Sequence, residues 1–374
     1  MTKPRSYQLC TRCVMDTSDL EIIFNDRGHC NHCTEFLAAR ARYGYDEQGQ
    51  HNFERMIDIV KAAGRGKPYD CVVGVSGGLD SSYLAHLVVE RGLRPIAVHM
   101  DNGWDSMEAV LNIRNITNKL EIAYESYVLD WTEFSDLQLA FLRASVPEAE
   151  TPTDVAIPAA IHEIAAKFGI KFILSAGNLT TEGILPKSWH YKAKDMTYFN
   201  HIQKTFGNRG RRAFATFDYR AEIYFKFVKG IRTLYPLNFL PYSPKDAISE
   251  LTDRFGYRYS GRKHHESRYT RFIQSYYLFE KFGIDYRRAT FSSQIVSGQL
   301  EREDALEQLK LKPYTEDQVT DDKEYVSKKL SISIDELEAI IDSPPKWYWD
   351  YPNDDRRLQF MYGVYRKLFG RGVS

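Results

Sequence analysis

The chain has 374 residues, which is enough for two or three domains with a sizeable core. Its 50 Lys and Arg residues balance 50 Asp and Glu residues, so no global charge draws it to nucleic acid or to a membrane surface. No apolar run approaches a membrane span, and the N-terminus lacks the apolar core of a secretion signal. We therefore predict a cytoplasmic protein with no membrane contact and with nucleic acid disfavoured as a partner.

Two Cys-x-x-Cys pairs stand near the N-terminus, separated by sixteen residues: Cys10, Cys13, Cys30 and Cys33. This spacing is typical of a structural zinc site, in which four thiolates complete a tetrahedron and leave no open position. In a reducing cytoplasm these thiols would not persist as disulfides. The pattern predicts a Zn²⁺ knuckle, with an iron–sulfur centre or an empty site as the alternatives.

Strands and helices alternate along the next part of the chain. Strands are predicted at 71–75, 95–100, 122–129 and 170–175, and helices at 53–63, 79–90, 106–119, 131–143 and 154–167. Asp154 is expected to cap the last of these helices. Apolar strands that alternate with helices predict an α/β fold with a doubly wound parallel sheet, covered on both faces. Ligands of such sheets bind beyond the carboxyl ends of the strands.

The first predicted strand leads into Val75-Ser-Gly-Gly-Leu-Asp-Ser-Ser82, a glycine turn before a helix. Such a turn aims backbone N–H groups and the positive end of a helix dipole at one point, which favours phosphate. Neither a Walker A lysine nor G-x-G-x-x-G spacing is present. The form S-G-G-x-D-S resembles the PP-loop of the ATP pyrophosphatases, which split ATP between its α and β phosphates. The resemblance implies nucleotide contacts from Gly74, Val75, Ser76, Gly77, Gly78, Asp80, Ser81 and Ser82.

Two further strand ends complete the expected nucleotide site. In the PP-loop family the backbone at the end of the second strand typically contacts the adenine edge, which corresponds here to Met100. Gly177 and Asn178, after the fourth strand, border the same nucleotide.

Three carboxylates are candidates for Mg²⁺, since hard cations prefer oxygen ligands: Asp80, Asp101 and Glu182. For Asp101 the alternative is plain turn formation before Gly103.

The second half of the chain is predicted to be mainly helical. Residues 187–212 lack clean periodicity, which favours a lid or substrate loop, and 237–244 indicate a linker. The segment from Arg254 to Arg288 contains nine Lys or Arg residues and three acidic residues, which predicts a local positive patch. We predict a zinc knuckle at 1–45, an ATP-binding α/β domain at 46–240 and a helical substrate or partner domain at 241–374.

Several segments resemble the N-acetyl sugar amidotransferases of bacterial surface-polysaccharide synthesis. They are the cysteine pairs with Val14-Met15, Tyr69-Asp70-Cys71, Gly261-Arg-Lys-His-His-Glu-Ser267, Arg288-Ala-Thr-Phe-Ser-Ser293 and Ser297-Gly-Gln-Leu-Glu-Arg-Glu-Asp-Ala-Leu306. The likeness runs from about residue 8 to residue 365. Leu79, where lysine is more usual, and Arg262, where glycine is more usual, depart from the family pattern.

The resemblance implies an activity. ATP would adenylate the acetamido carbonyl of a sugar, either a nucleotide-linked diacetamido uronic acid or a nonulosonic acid, and ammonia would replace the oxygen to give an acetamidino sugar. Asp80, Lys263 and His264 are the expected catalytic residues, with Glu266 orienting its neighbours and Arg268 as a further substrate contact. No residue is identifiable as a general base.

The source of ammonia follows from the cysteines. A glutaminase needs a cysteine nucleophile, and only Cys71, which enters a buried strand, is not committed to metal. The family resemblance implies a separate glutaminase and a barrel subunit, akin to the histidine-biosynthesis pair; a homo-oligomer stays open. The alternatives are a tRNA-thiolating PP-loop enzyme and a non-catalytic, nucleotide-binding scaffold.

Overall fold

The computed structural model describes residues 6–43, 46–209 and 214–369. Within these ranges one parallel sheet has the strand order β3-β2-β1-β4-β5. The strands are β1 Cys71–Gly74, β2 Pro95–Asp101, β3 Ala123–Val128, β4 Phe172–Leu174 and β5 Arg232–Leu234. The order runs outward from β1 in both directions, which confirms the predicted doubly wound sheet. The fifth strand was not predicted.

Helices surround the sheet and form nearly all of the second half of the chain. They are α1 Asn31–Arg40, α2 Glu47–Ala63, α3 Leu79–Glu90, α4 Met107–Lys119, α5 Trp131–Arg143, α6 Thr151–Lys167, α7 Leu179–Glu182, α8 Met196–Phe206, α9 Tyr219–Ile223, α10 Pro244–Phe255, α11 Arg268–Phe272, α12 Leu278–Phe282, α13 Arg287–Ser297, α14 Arg302–Leu309, α15 Glu316–Leu330, α16 Ile334–Asp342 and α17 Asp355–Phe369. None of the helices in the described ranges has the length and apolar character needed to cross a bilayer.

Successive residues of β1 pack on opposite faces of the sheet, as strand geometry requires. Val73 lies in a core with Phe53 of α2 and Leu84 of α3. Val72 lies in a separate core with Ile164 of α6. Both valines are fully buried, so β1 is the centre of the sheet and carries the following turn on a rigid support.

Three local predictions were wrong. Helix α6 begins at Thr151, so Asp154 lies inside its first turn and does not cap it; Pro152 occupies one of the first two positions, where its missing N–H costs nothing. The segment at 237–244 is packed, with Tyr242 3% exposed. In the described part of 187–212, Trp189 and Tyr191 are core residues and α8 follows them, so this stretch is not a loose lid, and its contact with a substrate stays a prediction.

The cysteine-bearing N-terminal segment packs on C-terminal helices. Arg302 of α14 donates to the carbonyl oxygens of Cys13 and Cys10, both at 3.0 Å. Arg288 of α13 donates to the carbonyl of Val14 at 2.8 Å. These charge-assisted bonds join the two ends of the chain. The domain limits at 45 and 240 stay predictions.

The turn after β1 requires glycine at position 77. Gly77 has φ +75°, and an added Cβ would lie 2.4 Å from the backbone oxygen of Ala109 in α4. Gly169 has φ +65°, and a Cβ added there would have no atom within 4 Å. The substitution Gly169→Ala therefore measures the cost of backbone strain alone. We expect Gly169→Ala to cost about 1–2 kcal/mol of unfolding free energy and Gly77→Ala roughly 1–3 kcal/mol more, measured by urea denaturation. Equal losses would contradict the close approach of α4 to the turn.

Candidate active site

The turn between β1 and α3 has the geometry of an anion site. The Ser76 N–H donates to Ser81 Oγ at 3.2 Å, and the Gly78 N–H donates to Ser76 Oγ at 3.2 Å. Gly78 takes the cap position of α3 and supplies no side-chain cap. The N–H groups in the first turn of α3 have no side-chain cap, and the positive end of the helix dipole lies at this point.

Asp80, in the first turn of α3, is the centre of a hydrogen-bond cluster. Its Oδ1 accepts from the Tyr242 hydroxyl at 2.5 Å. Its Oδ2 accepts from Asn178 Nδ2 and from Thr181 Oγ1, both at 3.0 Å, and also contacts the ammonium of Lys263. The predicted residues Asp80, Asn178 and Lys263 are therefore brought together at one place.

Lys263 lies between two carboxylates. Its Nζ is 2.9 Å from Glu182 Oε1 and also contacts Asp80 Oδ2. Burial works against the charge of Lys263, but Asp80 and Glu182 outweigh it and raise the pKa of the lysine above its ordinary value. Burial likewise opposes ionisation of Glu182, and the charges of Lys263 and His264 hold its pKa well below the usual range. Both groups therefore stay charged. Lys263 supplies a positive charge beside the turn, and Leu79, which stands where lysine is more usual, supplies none.

His264 completes this cluster. Its Nε2 lies 3.3 Å from Glu182 Oε1. Burial lowers the pKa of His264, but the bond to Glu182 raises it above the ordinary value. Its φ of 63° is a strained backbone conformation for a non-glycine residue, of the kind that recurs at functional sites.

Glu266 lies on the glycine turn itself, and its predicted orienting role stays a prediction. Its Oε1 accepts from Ser76 Oγ at 3.1 Å, and a Cβ added to Gly78 would lie 2.3 Å from the same oxygen. The carboxylate therefore rests on the turn, where an anion would bind. The Ser106 N–H donates to the Glu266 carbonyl at 2.8 Å and anchors this loop to the segment that follows β2.

The end of β2 lies apart from the Asp80 cluster. Met100 is half-buried and pairs with Tyr127 in β3, and its contact with adenine stays a prediction. Asp101 Oδ1 accepts from the Gly103 N–H at 2.9 Å, which is the turn contact named above as the alternative. Metal-ligand atoms of Asp101, His99 and Asp105 lie within 4.8 Å of one another, and this group includes neither Asp80 nor Glu182.

Sequence reasoning missed three residues that hold the site together. Thr181 follows Asn178 and was within reach of the strand-end argument, whereas Tyr242 lies in a stretch without any pattern. The His99 Nδ1–H donates to the Val75 carbonyl oxygen at 2.9 Å, and His99 Nε2 lies 2.9 Å from Asp105 Oδ2. Burial lowers the pKa of His99, but Asp105 more than offsets it and raises the pKa, so the imidazole links the turn to the second strand end.

Arg268 points into a separate open cleft of about 390 Å³ beside the start of α4. Its guanidinium bonds Asp321 at 2.5 Å and Asp322 at 3.2 Å and lies 3.8 Å from the ring centre of Tyr325. It is therefore not part of the Asp80 cluster.

The four N-terminal cysteines form a buried group. Their sulfurs lie within 4.8 Å of one another, with Cys10–Cys33 at 3.8 Å, Cys13–Cys30 at 3.7 Å and Cys30–Cys33 at 3.5 Å. Tetrahedral bonds of about 2.3 Å to a single ion place sulfurs about 3.8 Å apart. The residues present therefore fit one four-coordinate metal ion. A cubane iron–sulfur cluster would hold each sulfur on a different iron and spread the four sulfurs farther apart.

The central strand of the parallel sheet carries the S-G-G-x-D-S turn, which the sequence resemblance assigns to a PP-loop. Residues 266–366 match the family described as LPS biosynthesis protein WbpG-like, C-terminal domain. This part of the chain, which begins at the residue that rests on the turn, is therefore similar to a WbpG-like C-terminal domain.

A probable mitochondrial tRNA-specific 2-thiouridylase from Caenorhabditis elegans is 30% identical in an alignment of 127 residues that covers 29% of this chain. The chain spans about a third of that relative's length, 33%.

Three solved structures are similar to this chain over most of its length, with low TM-scores. NMN synthetase from Francisella tularensis has a TM-score of 0.37 at 13% identity and covers 77% of this chain and 98% of its own. The U34-tRNA thiolase NcsA from Methanococcus maripaludis, with its [4Fe-4S] cluster, has a TM-score of 0.30 at 14% identity and coverages of 80% and 91%. The NH3-dependent NAD synthetase from Campylobacter jejuni has a TM-score of 0.30 at 13% identity and coverages of 80% and 98%.

The cysteine group leads to a prediction about metal and stability. Purified protein should contain one metal ion per chain, and Cys13→Ser should lose it and lower the unfolding free energy by more than about 2 kcal/mol. The measurements are metal content by mass spectrometry and thermal denaturation. Cys71→Ala is the control, because Cys71 is buried in β1 outside the group and should keep the metal. Iron with inorganic sulfide in the wild type would contradict the single-ion geometry.

Proposed function

We propose that the chain is an ATP-dependent amidotransferase that adenylates the acetamido carbonyl of a sugar and replaces its oxygen with ammonia, giving an acetamidino sugar. The sugar would be a nucleotide-linked diacetamido uronic acid or a nonulosonic acid, used in bacterial surface polysaccharide (O-antigen) synthesis in the cytoplasm. One observation carries the proposal: the segment that matches an LPS-biosynthesis family places its first residue, Glu266, on a PP-loop turn.

The described residues supply positioning and charge for this chemistry. The ATP phosphates would lie on the turn from Val75 to Ser82, with Lys263 offsetting their charge. The Mg²⁺ that accompanies ATP would have to displace Lys263 to reach Asp80 and Glu182, because the lysine already pairs with both carboxylates. The carbonyl oxygen forms a bond to the α-phosphorus, and the bond to pyrophosphate breaks. AMP then becomes a good leaving group. Orientation and fixed charge account for the rate gain, as in other phosphoryl-transfer sites.

Two supporting roles complete the proposal. The cysteine group would hold Zn²⁺, which does no chemistry because all four positions are taken. Ammonia would come from a separate glutaminase with a barrel subunit, since the remaining thiol, Cys71, is enclosed in β1 and burial raises its pKa far above that of a nucleophile.

A second candidate is a tRNA-thiolating enzyme, which the partial likeness to the Caenorhabditis elegans 2-thiouridylase favours. Sulfur transfer usually needs a cysteine that can carry a persulfide and reach the substrate. Four of the five cysteines lie in the metal group and Cys71 is fully buried, so the residues weigh against this candidate.

Pyrophosphate release from ATP separates these functions. We expect release to require an acetamido sugar, and the product with ammonium chloride to be lighter than the substrate by the difference between an oxygen atom and an NH group. Lys263→Met should lower the rate by about a hundredfold or more. Release that depends on tRNA would favour the tRNA-thiolating enzyme, and no release under any condition would favour the non-catalytic scaffold.

The position of Glu266 leads to a separate prediction for ATP binding. Its carboxylate occupies the turn and repels phosphate, so Glu266→Gln should tighten the Kd for ATP by about fivefold, measured calorimetrically without sugar. Glu303→Gln removes the same charge from an exposed position in α14 and should leave the Kd unchanged. Weaker ATP binding in Glu266→Gln would mean that this carboxylate contacts the nucleotide complex directly.

A further inference from the structure

Three side chains with metal-ligand atoms lie together at the end of β2, and the chemistry proposed above does not use them. We call them the β2 group. Ligand atoms of His99, Asp101 and Asp105 lie within 4.8 Å of one another. His99 is 7% exposed and both carboxylates are half-buried. One imidazole nitrogen and two carboxylates form a donor set that first-row divalent ions accept.

The imidazole of His99 is held in the way that metal-binding histidines are held. Its Nδ1–H donates to the Val75 carbonyl oxygen at 2.9 Å, so the neutral ring has its lone pair on Nε2. Histidine ligands almost always donate their other ring N–H to a carbonyl or carboxylate in this manner. Because Val75 leads directly into the glycine turn, the β2 group is joined to that turn by a hydrogen bond.

The lone pair of Nε2 faces another acceptor. Asp105 Oδ2 lies 2.9 Å from Nε2, and a carboxylate oxygen has no hydrogen to donate. The contact therefore needs either a second proton on the imidazole or a cation that both atoms bind. Ligands on neighbouring positions of an octahedral ion with bonds of about 2.1 Å lie about 3.0 Å apart. The separation of Nε2 and Oδ2 matches such an edge.

Both carboxylates of the β2 group have an oxygen available for a further contact. Asp101 Oδ1 accepts from the Gly103 N–H at 2.9 Å, and its second oxygen has no hydrogen bond to a described residue. The same holds for Asp105 Oδ1. Within the described part of the chain, neither carboxylate forms an ion pair with a lysine or arginine.

Two comparable groups hold a cation of the protein itself. Lys263 lies between the two carboxylates of the active site. Another group comprises His86, Glu90 and Glu250. There the guanidinium of Arg254 pairs with both glutamates. The β2 group has no such cation among the described residues, so a bound ion is what would offset its charge.

The β2 group borders the open cleft of about 390 Å³ beside α4, because Asp105 lines it. The charged side chains of the lining are three carboxylates and two guanidiniums: Asp105, Glu108, Asp321, Arg268 and Arg271. The lining therefore has an excess of negative charge before Asp101 is counted. The cleft gives a cation a path from solvent and leaves room for the water molecules that complete its coordination.

We propose that His99, Asp101 and Asp105 bind a six-coordinate divalent metal ion of the Mn²⁺ type, with water on the positions that face the cleft. The nitrogen ligand favours Mn²⁺ over Mg²⁺ and Ca²⁺, which prefer oxygen ligands. All three protein ligands are present without nucleotide, so this ion is distinct from the one that accompanies ATP. The inference goes beyond the proposed function and does not depend on it.

The ion joins segments on two sides of the glycine turn. Through His99 it holds the Val75 carbonyl, where the turn begins. Through Asp105 it holds the backbone pairing with Ser267, and the neighbouring Glu266 rests on the turn. Metal binding should therefore raise the melting temperature of the protein as well as fill the site.

The test uses the full chain with the cysteine metal in place and with no nucleotide. MnCl₂ titrated under electron paramagnetic resonance should give one bound Mn²⁺ per chain, and pulsed spectra should show nitrogen coupling from a coordinated imidazole. His99→Gln should abolish that coupling. Asp101→Asn and Asp105→Asn should each raise the Kd for Mn²⁺ by about tenfold or more.

The two asparagine variants keep the local hydrogen bonds. The amide oxygen of Asn at 101 can still accept from Gly103, and the amide N–H of Asn at 105 can donate to His99 Nε2. Their melting temperatures without Mn²⁺ should therefore stay close to that of the wild type. Glu90→Gln is the control: it removes a carboxylate from the group that Arg254 already fills, and it should leave Mn²⁺ binding unchanged.

Three results would overturn the inference. Bound Mn²⁺ without nitrogen coupling would assign the ion to carboxylates alone, such as Asp80 and Glu182. Coupling that is lost in Glu90→Gln and kept in His99→Gln would place the ion beside His86. A wild type that binds no Mn²⁺ would mean that a proton, and no metal, lies between Nε2 and the Asp105 carboxylate.

Discussion

The ammonium of Lys263, held between Asp80 and Glu182, joins three parts of the chain that are remote in sequence: the start of α3, the segment after β4 and the loop at 261–267. Two carboxylates so close together would repel each other and any phosphate on the neighbouring turn. A buried cation offsets both effects. Removing one partner of such a buried pair typically costs about 3–5 kcal/mol, because the other charge is left unpaired. The strained backbone of His264 is tolerated because the residue beside it is held this firmly.

A second chain of contacts leads from the metal site to the same cluster. The Val14 N–H, beside Cys13, donates to Ser292 Oγ at 3.2 Å, and the next residue of α13, Ser293, accepts from the Ile184 N–H at 2.9 Å. Ile184 lies two residues after Glu182. The segments around Val14 and around 288–293 therefore form one interface. In the sequence they were only separate points of resemblance. A metal ion on the cysteines would fix the segment around Val14, which α13 contacts. Through α13 the metal ion would also help to position Glu182.

Much of this arrangement could be predicted from local sequence. The bounds of α3 and α5 agree residue for residue with the prediction, because apolar periodicity and end signals act within a few residues. The placement of the site at the strand ends follows from the alternation of strands and helices. β5 was missed because its three residues are only partly buried or exposed and show no alternation. The bond from Tyr242 to Asp80 spans 162 positions, and no local pattern encodes a contact of that range.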